Sequence, residues 1–312
     1  MARRRIGQEQ LVIDDRRASR GSSLEQMSAL INWSEIDRQF DEIYRSSRGE
    51  AGWPPLSLFK AMLLAMWHDL SDVKLEEALA DRASFRRFCG FSANEPTPER
   101  TAFVRFRGEL VKRGLDRSLF ETITRQLKGK GVVVRTGTLV DATLIPSASI
   151  RHDDEARWAG HRRRKPVHGY KAHIATDQDA VLIEAVEITT ANVHDAALLP
   201  AVLPSEPGDV YGDSAFSGRN CEKLILARGG VPLTVQTGTW GGQPALDRLE
   251  THNRKVRRIR ARIEKVFGTT KRSYGLRRMR WVGLANAGLQ IRLTAMAYNI
   301  RRGFGILCAA PI

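Results

Sequence analysis

The hydrophobic texture of the chain changes once, at Lys128-Gly129-Lys130-Gly131, and that change limits the folds open to it. Before this point apolar residues recur at helical spacing. After it, short β-rich runs appear at 138–145, 170–176, 181–188, 209–213 and 231–235, separated by turn signals or helical stretches. Three strands in a row, then alternating helix and strand, then helices, indicate a mixed sheet flanked by helices. The expected fold is therefore α/β, preceded by an all-helical region. The glycines at 129 and 131 mark the boundary, giving a helical N-terminal domain over 1–128 and a sheet domain over 129–312. With 312 residues, each part has enough chain for its own core.

Within the first part, Leu56, Phe59, Leu63, Met66 and Trp67 follow Pro54-Pro55 at helical spacing, with Pro55 suited to a first turn. Ser71 fits an N-cap for a helix over 73–80, and Gly90 fits the end of the next one. Thr97-Pro98-Glu99 reads as another start, a cap followed by a first-turn proline and an acid that the helix dipole favours. The Met62, Met66 and Trp67 stripe is core packing. In the second part 194–203, 217–227, 247–272 and 284–302 have helical spacing, and 238–242 is a loop.

Charge is distributed unevenly over the two parts. Of a net +15, residues 1–128 contribute 22 basic and 19 acidic side chains, or +3, and residues 129–312 contribute 28 and 16, or +12. Such segregation favours a polyanionic partner for the second part. Nucleic acid fits better than an anionic membrane, because no basic amphipathic helix stands alone at a terminus. Cys89, Cys221 and Cys308 lack metal or redox spacing and fit a reducing cytoplasm as small core fillers. The basic Met1–Arg5 start leads into Gly7-Gln8-Glu9-Gln10 instead of an apolar segment, so no signal peptide is expected. No apolar run reaches the roughly 18 residues of a membrane span.

Between Arg254 and Arg280 the chain carries twelve arginines and lysines and one acid, Glu264. As a helix, this segment places Val256, Ile259, Ile263, Val266 and Phe267 on one apolar stripe. Glu264 lies roughly 110° from its centre, on the same side as Arg260 and Lys271. Two more carboxylates end apolar runs, Asp141 after Thr138-Leu139-Val140 and Asp213 after Val210-Tyr211-Gly212. Each has a plain structural reading: strand-end aspartates serve turns and caps, and a glutamate among arginines forms helical ion pairs. Together they suit phosphoryl transfer. An anionic phosphodiester resists attack, and two divalent ions about 4 Å apart supply an activated oxygen and offset the charge on the leaving one. Mg²⁺ takes hard oxygen ligands and keeps several waters, so two or three carboxylates suffice. Arg260 and Lys271 could then hold the phosphate backbone nearby.

The order of several short blocks resembles a known family over almost the whole chain. Trp53-Pro54-Pro55-Leu56-Ser57-Leu58-Phe59-Lys60-Ala61-Met62-Leu63-Leu64, Leu70-Ser71-Asp72 and Ser84-Phe85-Arg86-Arg87-Phe88-Cys89-Gly90 come first. Thr138-Leu139-Val140-Asp141-Ala142-Thr143, His168-Gly169-Tyr170-Lys171-Ala172-His173, Thr190-Ala191-Asn192-Val193-His194-Asp195 and Tyr211-Gly212-Asp213-Ser214-Ala215-Phe216 follow. Arg260, Glu264 and Lys271 match a Tyr-x2-Arg-x3-Glu-x6-Lys signature, with Arg257 standing where that signature has tyrosine. These blocks resemble the DDE transposases of bacterial insertion sequences, of the insertion-sequence-five type within the insertion-sequence-four superfamily.

The resemblance implies a ribonuclease-H-like sheet and a catalytic, metal-holding triad of Asp141, Asp213 and Glu264. It further implies Mg²⁺ as cofactor, with Mn²⁺ able to substitute, and DNA contacts through Arg260, Lys271, Arg257 and Lys171. The activity it implies is hydrolysis of a strand at the element end, followed by attack of the new 3′-OH on target DNA. Double-stranded DNA as partner, a homodimer on DNA and a cytoplasmic, nucleoid-associated location are expected with it. The helical domain is expected to recognise the terminal inverted repeats or to dimerise. Two alternatives stand beside this reading: a catalytically inactive, transposase-derived DNA-binding protein, and a metal-dependent nuclease without strand transfer. Among other candidates, His152-Asp153-Asp154-Glu155 reads as a polar loop more than a metal cluster. His168 and His173 lack the cysteines of a zinc site and suit positioning, DNA contact or packing. Asp195 near a helix start suits the helix dipole. Arg162-Arg163-Arg164-Lys165 reads as a basic loop able to touch a DNA backbone.

Overall fold

In the computed structural model, residues 4–7, 22–43, 51–132, 136–161, 164–238 and 241–309 are described. The chain forms two compact units: one of Met1–Lys130 with Arg292–Ile312, and one of Gly131–Ile291.

The first unit is helical: α1 (Ser23–Ser28), α2 (Trp33–Arg38), α3 (Pro55–Trp67), α4 (Asp72–Asp81), α5 (Ala83–Cys89), α6 (Arg100–Arg113) and α7 (Leu115–Gly129). Pro55 opens α3, where its missing N–H is harmless, and the Ser71 hydroxyl accepts from the Lys74 amide to cap α4. Gly90 ends α5 at φ 89°, a left-handed conformation that favours glycine. Thr97-Pro98-Glu99 is not itself helical. The helix begins at Arg100, and Glu99 sits extended at the cap without capping, its carboxylate taken by Thr101 Oγ1 and Trp53 Nε1.

Phe40, Phe59 and Phe106 meet in the core of this unit, and Met62, Met66 and Trp67 are buried as expected. The last helix, α11 (Leu284–Ala309), completes it from Arg292 onward. Trp67 Nε1 donates to the Ala297 carbonyl at 2.7 Å, and Arg292 pairs with the buried Asp116. The first eight residues of α11, 284–291, group with the second unit. Cys89 and Cys221 are buried fillers, but Cys308 is exposed.

The second unit contains the sheet. Its strands are β1 (Gly137–Pro146), β2 (Arg157–His161), β3 (Arg164–Asp177), β4 (Ile183–Thr190), β5 (Asp209–Gly212) and β6 (Val231–Thr234). The order is β2-β3-β1-β5-β6, with β4 pairing the same edge of β3 as β2. β1 is antiparallel to β3 but parallel to β5, which is parallel to β6, so the sheet is mixed. One face is covered by α8 (Leu199–Val202) and α9 (Arg219–Ala227), which enclose Val140, Ala175 and Val210 with Leu199, Val202, Phe216, Cys221 and Ile225. The 32-residue α10 (Gly242–Ser273) packs on β1 and β5, and buries Val256, Ile263 and Val266. This is the expected ribonuclease-H-like arrangement of a mixed sheet flanked by helices. The helix expected over 194–203 is a 3-10 turn, Asp195–Leu198, followed by the single turn of α8. No helix among the described residues is long and apolar enough to cross a membrane.

Candidate active site

The site is built on the central pair of parallel strands. β1 is the most buried strand of the sheet at its start, and Asp141 is the first residue along it to leave the fully buried class. Alternation puts Leu139, Asp141, Thr143 and Ile145 on one face, and Val140 on the other among the apolar residues under α8 and α9. The parallel register pairs Leu139 with Tyr211. Continued two residues, it brings Asp213 alongside Asp141, on strands spaced about 4.8 Å apart.

Asp141 has a 13% exposed side chain. Its Oδ1 accepts from the Ala142 amide at 2.8 Å, and its Oδ2 accepts from Arg260 Nη2 at 2.9 Å. Burial pushes its carboxyl up to about 6, against the opposing pull of Arg260 and with a further push from the negative charge of Asp213. Asp213 follows β5 directly and opens a 3-10 turn, its Oδ1 accepting from the Ala215 amide at 2.9 Å. The turn folds Phe216 back so closely that a Cβ on Gly212 would lie 3.0 Å from its ring. The Gly-Asp-x-x-Phe spacing thus has a local cause: glycine admits the aromatic ring, and the ring fixes the turn that carries the aspartate.

At about 100° per residue, Arg257, Arg260, Glu264 and Lys271 fall within about 60° of one another around α10. Two of these four are tied to β1: Arg260 to Asp141, and Lys271 Nζ to the Leu144 carbonyl at 2.9 Å. Arg257 is exposed. Glu264 is also exposed, one turn beyond Arg260. Among the described residues no three His, Cys, Asp or Glu side chains converge closely enough to hold a metal ion. The structure therefore brings Asp141, Asp213 and Arg260 together, while the exposed Glu264 does not join the two aspartates in a three-carboxylate cluster. Two neighbouring carboxylates form a hard-oxygen pair that suits a divalent cation, whose charge would keep Asp141 ionised against the push of its burial.

Other sequence candidates have internal partners. Lys171 donates to the Val193 carbonyl at 2.6 Å and to Asp195 Oδ1 at 2.7 Å, with 14% of its side chain exposed. This pairing ties β3 to the turn after β4, and it engages Asp195 as well. His173 is buried against Thr189 Oγ1 at 2.9 Å, and burial lowers its imidazole to about 4. His168 lies beside Ser147 Oγ at 2.8 Å and against the Trp158 ring. Gly169 next to it is required sterically, since a Cβ there would come 2.1 Å from the Ile145 carbonyl oxygen.

The acidic 152–155 segment is a turn, not a metal cluster. Asp153 Oδ1 accepts from Tyr170 at 2.5 Å and from the Gly283 amide at 3.3 Å, while Glu155 accepts from the Leu284 amide at 2.7 Å. These acids fasten the start of α11, where the helix dipole favours negative charge. Of the basic 162–165 segment, Arg162 and Arg163 lie outside the described residues, and Arg164 and Lys165 belong to β3 instead of a loop. Sequence spacing did not single out Trp158, which stands 55% exposed on β2. Its one signal was a tryptophan in an otherwise polar segment.

Two family models match the chain. One, described as "Transposase DDE domain", covers residues 134–300, more than half of the chain and all of the residues gathered above. The other, described as "Transposase domain (DUF772)", covers residues 11–109. No solved structure matches the chain.

Proposed function

The chain belongs to the transposase family defined by this DDE domain; on that premise we propose that it binds the ends of an insertion sequence, cuts them and joins them to target DNA. One observation supports the reading: Asp141 on β1 and Asp213, the residue after the parallel strand β5, act on each other electrostatically beside a helix whose Arg257, Arg260, Glu264 and Lys271 fall on one side. Asp141 and Asp213 would hold a divalent ion, Mg²⁺ with Mn²⁺ as substitute, and Glu264 is the third carboxylate of the set. When bound, the ion lowers the pKa of an attacking oxygen and offsets charge on the leaving one.

The chain's own residues supply the rest. Arg260 and Lys271 bind the phosphate backbone along β1, and Arg257 extends this contact by one turn. Arg260 also holds Asp141 in place by the 2.9 Å contact. Water is the first nucleophile and the freed 3′-OH the second, so no serine or tyrosine of the protein becomes covalently attached to DNA. The helical unit is proposed to recognise terminal repeats or to dimerise, with two chains acting on two ends. The test is Glu264→Gln. It abolishes cleavage and joining while DNA affinity stays equal or rises; retained strand transfer removes Glu264 from the triad.

A further inference from the structure

Trp158 is the one tryptophan among the large hydrophobic side chains that the described residues leave exposed. Single exposed apolar residues are common and need no purpose. Trp158 differs in being positioned. It pairs with His168 across the antiparallel β2–β3 register, and the two ring centroids are 5.2 Å apart. His168 is itself fixed by Ser147 Oγ at 2.8 Å, and the Ser147 amide donates to the His168 carbonyl. The indole thus meets an anchored ring at a 56° tilt, and Trp158 remains 55% exposed.

Its location follows from strand alternation. The β1–β3 register runs unbroken from Thr138↔Asp177 to Pro146↔Gly169, with Asp141 opposite Ile174. His168, Tyr170, Ala172 and Ile174 alternate onto one face, so Trp158 shares a sheet face with Asp141. Six residues of β3 separate His168 from Ile174, or about 20 Å. A fixed cation lies beside the ring pair: the exposed Arg278 donates from Nε to the carbonyl of Ser147 at 3.1 Å, on the residue that anchors His168. Arg157, next to Trp158 in β2 and held by the Asp154 and Ala156 carbonyls at 2.6 and 2.9 Å, alternates onto the other side of the strand. An exposed indole beside a fixed guanidinium suits unpaired nucleic acid: the cation meets the backbone and the ring stacks on a base.

We propose that Trp158, in contact with His168, is a stacking platform for an unpaired nucleobase of bound DNA, outside the buried stretch of sheet face formed by Tyr170, Ala172 and Ile174. The inference rests on the DNA-binding reading above and adds to it a subsite about 20 Å from the carboxylates. Full-length wild type, Trp158→Ala and Trp158→Phe are titrated with two probes, a blunt mixed-sequence duplex and the same duplex carrying an eight-thymidine 3′ tail. Trp158→Ala lowers affinity for the tailed duplex by about tenfold, leaves the blunt duplex within about twofold and keeps the salt slope. Trp158→Phe, which retains a ring, recovers most of the loss. Equal losses on both probes, or none on either, overturn the platform. So does a change in sedimentation of Trp158→Ala with unaltered tail preference, which would make the ring a contact between copies of the chain. If wild type binds neither probe, the DNA-binding reading itself fails, a result distinct from a variant that matches wild type.

Discussion

Neutralising Asp141 should make the ion-free protein more stable while it destroys activity. The carboxyl is raised from an ordinary 3.8 to about 6, first by burial. A carboxylate of this kind costs stability when ionised: nothing below 3.8, where folded and unfolded chains are both protonated, then progressively more until pH passes about 6. At about 1.4 kcal/mol per tenfold change in proton affinity, that difference amounts to about 3 kcal/mol at neutral pH. Asparagine keeps the shape of the protonated acid, so Asp141→Asn should recover about 2–3 kcal/mol at pH 7.5, or about 5–10 °C in melting temperature for a unit of this size. Near pH 4 the gain should vanish. Urea denaturation of wild type and variant from pH 4 to 8 in EDTA measures the difference. Taking the difference cancels the opposite contribution of His173, whose depressed imidazole loses stability as pH falls from 6.5 to about 4. A variant no more stable at pH 7.5, or one equally stabilised at pH 4, would refute the reasoning.

Lys171→Met should leave the salt slope of DNA binding unchanged and lower stability by about 1–3 kcal/mol, because it strands the Asp195 carboxylate; a shallower slope at unchanged stability would return Lys171 to the DNA interface. Gly212→Ala places a methyl 3.0 Å from the Phe216 ring, and should cost about 1–3 kcal/mol and reduce cleavage by displacing Asp213. Full activity with an unchanged melting curve would contradict that coupling.

Much of the site was legible because its signals are local. Asp141 and Asp213 end apolar runs that became β1 and β5, and the spacing of Val256, Ile263 and Val266 gave α10 and the side on which Arg260 and Lys271 meet β1. What escaped depends on distant partners. β2 reads Arg-Trp-Ala-Gly-His, has no apolar alternation, and exists because β3 offers an edge, with a register shift between Ala159 and His161. The first turns of β3 contain Pro166 and Gly169, residues that normally argue against a strand. Asp153 and Glu155 look like loop acids until the start of α11, about 130 residues away, meets them. Lys171 and Asp195 find each other only across β4. The side of a helix can be read from periodicity, but the reach of a single carboxylate cannot, and Glu264 illustrates the difference.

The proposed function has this chain cutting and joining DNA through Asp141, Asp213 and Glu264 with a divalent ion. The measurement is incubation of a linear DNA carrying the sequences that flank the gene on both sides, with wild type or Asp213→Ala, in Mg²⁺ or EDTA. Wild type in Mg²⁺ alone is expected to cleave at the element ends and give a joined product, and the variant to bind DNA normally without product. Binding with neither cutting nor joining would mark a DNA-binding protein, and cutting without joining a nuclease; either contradicts the claim.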